Sequence, residues 1–159
     1  MSNPRYPLRI NVGFLINQPI GTSRDFHFDL PVVQLSQDFE LNDFNGTAHI
    51  SRTPQGLVVE AGFFANYYQE CVRCLEEYSQ PLNARFVELF AFRYRRNAEA
   101  ELYVPEDGQI NLGPLTRDYL LLELPLKPIC RLNCKGLCSY CGVNLNQTIC
   151  EHQKQLLEK

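Results

Sequence analysis

Apolar and polar residues alternate along the first part of the chain. Leu8, Ile10, Val12 and Phe14 are separated by Arg9, Asn11 and Gly13, the period of a strand with one buried face. Residues 18–24, QPIGTSR, have the composition of a turn. Phe26, Phe28 and Leu30 alternate with His27 and Asp29, predicting a second short strand that Pro31 ends or holds at an edge. Residues 46–52 and 57–69 flank the sequence Thr53-Pro-Gln-Gly56. Proline presets φ and glycine accepts positive φ in such a turn, so these two arms predict a hairpin. Residues 82–94 alternate again and favour strand.

The period changes to helical once, over 112–124. Leu115, Tyr119 and Leu122 share one face, Asn111 offers a cap, Pro114 fits the first turn and Pro125 stops the helix. The polar, acidic stretch 97–108 reads as a surface loop, and 151–159 as about two helical turns. There is no internal repeat or low-complexity tract. The expected fold is α+β. A β-rich domain over 1–126 contains hairpins in an antiparallel sheet or partial barrel, with one main helix near 112–124. A cysteine-rich tail over 127–159 packs on it.

Composition narrows the class. The 159 residues, 45% hydrophobic and 21% charged, suit one soluble domain or a domain with a small appendage. Ten Phe and eight Tyr without Trp lean toward strands. A net charge of −3 argues against coating nucleic acid by bulk charge, though it leaves room for a local basic face. No apolar run approaches the ~20 residues of a membrane helix. The stretch MSNPRYPLRI lacks the apolar core and cleavage site of a signal peptide. The expected home is cytoplasmic. Thiols stay reduced there, and clustered cysteines are metal ligands or catalysts rather than disulfides.

The seven cysteines and His152 offer enough ligands for two tetrahedral zinc sites. Cys138, Cys141, Cys150 and His152 form a compact Cys₃His set, with Gly142 suited to a tight turn after the CxxC pair. Cys71 and Cys74, in a CVRC pair, and Cys130 and Cys134 form the other set. A single site drawn from 130–150 with CVRC left free remains open, as does zinc against disulfide or idle thiols. The expected cofactor is therefore Zn²⁺, one or two ions per chain. A thioredoxin-type role for CVRC lacks the strand–CxxC–helix context. Either set would be ligated entirely by protein, as structural zinc is.

Nothing else carries catalytic chemistry. There is no GxSxG, phosphate-cradling glycine loop or HExxH, and the chain reads as a non-enzyme. His27 and His49 alternate with apolar residues and read as structural. Glu76 and Glu77 read as a solvated surface. Lys127, Arg131 and Lys135 lie inside the cysteine-rich region, and Arg93, Arg95 and Arg96 stand beside Phe92 and Tyr94. These cations fit nucleic-acid phosphate contact, and equally fit surface solvation or balance of thiolate charge.

The string CVRCLEEYSQPLNARFVELF resembles the CxRCLExxxxPLxxxxxExF signature of the YceD family, also called DUF177. INLGPLTRDYLLLELPLKPICRLNCKGLCSYCGVNLN resembles that family's second signature, a helix followed by LPLKPxCRxxCxGLCxxCGxNLN. The resemblance runs over 69–152. One departure is His152, which stands where the family usually ends in CxC; histidine remains a zinc ligand. The resemblance implies a factor needed for accumulation of 23S rRNA, acting in rRNA processing or large-subunit assembly, with a similar role in plant plastid relatives. The implied partner is rRNA or a ribosome-assembly protein, with neither membrane nor small-molecule substrate. The alternative is a zinc-stabilised protein–protein adaptor that makes no RNA contact.

Overall fold

The computed structural model describes residues 5–94 and 100–158. In chain order the elements are β1 (Arg9–Asn11), α1 (Gly13–Ile16), β2 (Ser23–Ser36), β3 (Phe39–Arg52), β4 (Gly56–Glu70), β5 (Glu77–Ala91), β6 (Gln109–Asn111), α2 (Gly113–Leu122) and α3 (Glu151–Leu157). They fall into two compact units: Met1–Asn66 with Pro81–Glu123, and Tyr67–Gln80 with Leu124–Lys159. The hairpin end 67–80, assigned by sequence to the β-rich domain, groups with the tail instead.

The larger unit is built on a four-stranded sheet in the order β2-β3-β4-β5. The β2–β3 and β3–β4 pairs are antiparallel, and β1 and β6 form a separate antiparallel pair. Alternation, shifted once by the irregularity between Asn42 and Asn45 of β3, puts Leu41, Phe44 and Ile50 of β3, Leu57, Val59 and Phe63 of β4, and Leu82 and Phe86 of β5 in the core. Rings continue across it: Phe44 to Phe63 at 5.0 Å, Phe63 to Phe86 at 6.2 Å, and Phe86 stacked on Tyr119 of α2 at 4.8 Å. Each such side chain contributes about 1.5–3 kcal/mol on burial, which is why long alternating strands dominate this unit.

Several sequence expectations shift. The strand expected over 8–14 stops at Asn11, whose Oδ1 accepts the Gly13 N–H at 3.0 Å and turns the chain into α1. Leu8, Ile10 and Val12 stay buried, but Leu15 replaces Phe14 inside. The short strand around Phe26–Leu30 is part of a 14-residue β2 that runs through Pro31. Strand β2 lies at the sheet edge, where a residue without an N–H is tolerated. The hairpin forms as expected and is longer, its turn closed by Thr53 N–H donating to the Gly56 carbonyl at 2.8 Å.

Helix α2 buries Gly113, Thr116 and Leu120, while Leu122 is 79% exposed. Its inner stripe is therefore one residue out of phase with the face read from Leu115, Tyr119 and Leu122. Asn111 Oδ1 accepts the Gly113 N–H at 3.0 Å and steers the chain into the helix. Among the described residues no helix is long and apolar enough to cross a membrane.

Candidate metal centres

The same turn is built twice in the smaller unit. After β4, Cys71 N–H donates to the Glu76 carbonyl and Leu75 N–H to the Cys71 carbonyl, each at 2.9 Å. In the tail, Cys138 N–H donates to the Val143 carbonyl at 2.8 Å and Gly142 N–H to the Cys138 carbonyl at 2.9 Å. Each is a CxxC knuckle, and in each the residue after the second cysteine has positive φ: 61° at Leu75 and 76° at Gly142. A Cβ on Gly142 would meet nothing within 4 Å, so glycine serves the backbone there rather than space. Leucine meets the same demand in the first knuckle at a conformational cost of about 1–2 kcal/mol.

Each knuckle joins a second pair of ligands. Cys71 and Cys74 converge with Cys130 and Cys134, and Cys138 and Cys141 converge with Cys150 and His152. Within each group the ligand atoms lie within 4.8 Å of one another. The Cys71–Cys134 and Cys74–Cys130 sulfurs are 3.8 and 3.7 Å apart. That matches the edge of a tetrahedron of about 3.8 Å implied by Zn–S bonds of about 2.3 Å. It is far longer than the ~2.05 Å of a disulfide. Cys150 and Cys138 sulfurs stand at 3.4 Å. Soft thiolates in sets of four, one set completed by imidazole, have the donor chemistry of structural zinc, and both groups could hold a metal ion.

Hydrogen bonds outside the ligands order this unit. Val72 N–H donates to the Pro128 carbonyl at 2.9 Å, and Leu137 N–H to the Arg73 carbonyl at 3.0 Å. Gly136, at φ 74°, passes so close that a Cβ would sit 3.1 Å from the Arg73 oxygen. Arg73 Nη1 donates to the Cys134 carbonyl at 3.1 Å. Asn146 Nδ2 donates to Cys134 Sγ at 3.3 Å and to Asn144 Oδ1 at 2.9 Å, and its Oδ1 accepts the Lys135 N–H at 2.8 Å. The Tyr140 ring stacks on His152 at 5.2 Å, which orients the imidazole. Asn144, Asn146 and Tyr140 were missed as functional residues from sequence. The available signal was the pair of asparagines two apart in GVNLN, a spacing at which side chains bond nearby backbone.

Ionisation is uneven within each group. Burial opposes charge on Cys71, but the backbone amides of Cys74, Cys130 and Arg73 outweigh it and bring the thiol down to about 6. The amides of Cys141 and Tyr140 bring Cys138 down to about 6 against its burial. The Asn146 amide is the main cause of a lowered value at Cys134. Burial, reinforced by the neighbouring thiols, pushes Cys130 up to about 12. The first group therefore favours thiolate at Cys71 and Cys134 and the second at Cys138, while Cys74, Cys130 and Cys141 are raised. A divalent cation reverses that by stabilising every thiolate at once.

The remaining candidates scatter. Lys127, Arg131 and Lys135 are all exposed, and among the described residues none of them forms an ion pair. Arg93 lies 4.0 Å from Glu106, while Arg95 and Arg96 fall outside the described residues. His27 bonds Thr47 and His49 bonds Asp25, as structural histidines do. Glu76 accepts a bond from Gln147 at 2.6 Å.

A family model described as "Large ribosomal RNA subunit accumulation protein YceD" matches residues 63–158, a span that includes all eight residues of the two candidate metal groups. The chain belongs to the YceD family. An uncharacterised protein of Mycobacterium tuberculosis is 33% identical over 100 residues, covering 60% of this chain and 48% of the relative. The chain thus spans about half the length of the curated relatives it matches first. A chloroplastic Zea mays protein named large ribosomal RNA subunit accumulation protein YCED homolog 1 is 48% identical over 42 residues, 26% of this chain and 14% of that one. Its Arabidopsis thaliana namesake is 35% identical over 57 residues, 36% of this chain and 18% of that one. No solved structure matches the chain significantly.

Proposed function

We propose that this YceD-family chain is a non-enzymatic cytosolic factor that supports accumulation of large-subunit rRNA, with two zinc ions shaping the smaller unit into an rRNA-binding surface. Cys71, Cys74, Cys130 and Cys134 hold one ion, and Cys138, Cys141, Cys150 and His152 the other. Zinc supplies cross-links between segments that have little core of their own. The carrying observation is that both four-ligand groups close within one unit, leaving no ligand position for substrate. Around them Lys127, Arg131 and Lys135 face solvent, as phosphate-contacting cations must. Tyr140 is 74% exposed beside the second centre, the presentation a base-stacking ring requires.

The test is binding of the full chain to 23S rRNA fragments across a salt series. Affinity should fall steeply with salt, and Lys127→Glu, Arg131→Glu and Lys135→Glu together should flatten the slope by about three phosphate contacts. Tyr140→Ala should weaken RNA binding even in excess zinc that keeps both ions bound, as elemental analysis would show. Salt-independent or absent RNA binding would favour the zinc-stabilised adaptor that docks on an assembly protein.

A further inference from the structure

Asn146 stands between the two groups of ligands and belongs to neither. Its amide nitrogen donates to Cys134 Sγ at 3.3 Å, and its amide oxygen accepts the N–H of Lys135 at 2.8 Å. Both partners lie at the end of the first ligand set. On its other side, the Asn146 N–H and its Nδ2 both bond Asn144 Oδ1 at 2.9 Å. Asn144 bridges Leu137 across the knuckle that carries Cys138 and Cys141. One side chain therefore joins the second knuckle to a ligand sulfur of the first centre.

A second link runs in parallel through the backbone. Leu145 N–H donates to the Gly136 carbonyl at 2.9 Å, and Leu137 N–H to the Arg73 carbonyl at 3.0 Å. Arg73 lies between Cys71 and Cys74, and Leu137 directly precedes Cys138. The position of one knuckle is thus set by the other.

We infer that the two metal centres load as a coupled pair, with Asn146 as the positioning residue that connects them. The inference rests on the reading that both groups bind zinc. When the second centre is empty, only the Tyr140–His152 ring stack and the Cys150–Cys138 sulfur contact tie the end of the chain to the knuckle, and the segment holding Asn146 loosens. Cys134 Sγ then loses the amide hydrogen bond that holds it in place among the other three ligands. Removing an outer-shell partner of this kind typically weakens metal binding about 10–100-fold. Coupling is reciprocal, so emptying the first centre must weaken the second by the same factor.

The experiment is chelator competition on the full reduced chain, with zinc counted by elemental analysis. Wild-type protein is compared with Cys150→Ser/His152→Ala, with Asn146→Ala, and with all three changes combined. Each of the first two should lower zinc affinity at the Cys71, Cys74, Cys130 and Cys134 set about tenfold or more. The combination should lower it no further, because both act through one connection. Asn146→Gln, which keeps the amide but displaces it, should show the same loss if Asn146→Ala fails to fold. Unchanged affinity, or losses that simply multiply in the combination, overturns the coupling. A wild-type content below two zinc ions overturns the metal reading itself, and the coupling with it.

Discussion

Replacing Cys71 and Cys74 together with serine should remove more stability than replacing Cys138 and Cys141. An unfolded chain still offers CxxC pairs to zinc, so a large part of what the folded chain gains is the long-range closure. The first centre joins Cys74 to Cys130, 56 residues apart. The second joins Cys138 to Cys150, only 12 apart. Applied to a metal clip, the chain-entropy relation used for cross-links gives about 4 kcal/mol for the longer loop and about 3 kcal/mol for the shorter. The assay is urea unfolding in excess zinc under reducing conditions, with elemental analysis showing that each double variant retains one ion. The longer-loop variant should lose about 1 kcal/mol more than the other. If the Cys138→Ser/Cys141→Ser variant proves the less stable one while each protein holds one zinc, the loop argument is wrong.

Two further outcomes follow from the knuckles. Gly142→Ala adds no clash but forces a Cβ into positive φ, and should cost about 1 kcal/mol in chemical unfolding; Leu75→Gly relieves the same strain and should be neutral or slightly stabilising. The metal-free chain should respond to pH through Cys71 and Cys138, whose folded values of about 6 lie below the ordinary 9.0. A depressed value stabilises the fold above the unfolded pKa and loses that contribution as pH falls through the folded one. The urea midpoint of the chelated protein should therefore rise between pH 6 and 8, and a fall over that window would contradict the assignment.

Strands and cysteines were legible for different reasons. Alternation in 46–52 and 57–69 reports one buried face directly, so β3 and β4 were read correctly although shorter than they are. A four-residue α1 leaves almost no periodic signal, and Asn11 turns the chain there through a single side-chain bond. The phase of α2 was missed because Thr116, a polar residue, occupies its fully buried stripe, while apolar Leu122 faces solvent. Burial in a short helix depends on the sheet beneath it, which local pattern does not contain. Pro31 illustrates the same limit, since only the order of strands shows that β2 is an edge.

Residue chemistry and spacing alone determined that eight potential soft or borderline ligands were present, that they came in closely spaced pairs, and that the chain resembled the YceD family. Ligand type and short-range turn geometry are local properties, carried by neighbours in the chain. Which pair meets which is a long-range matter. Cys71 and Cys74 meet Cys130 and Cys134 only because β4 and β5 carry the knuckle at their shared end and the backbone bonds from Val72 and Leu137 bring the tail beside it. Asn146 acquired its place between the centres in the same way, from folding of the segment around it rather than from anything asparagine announces on its own.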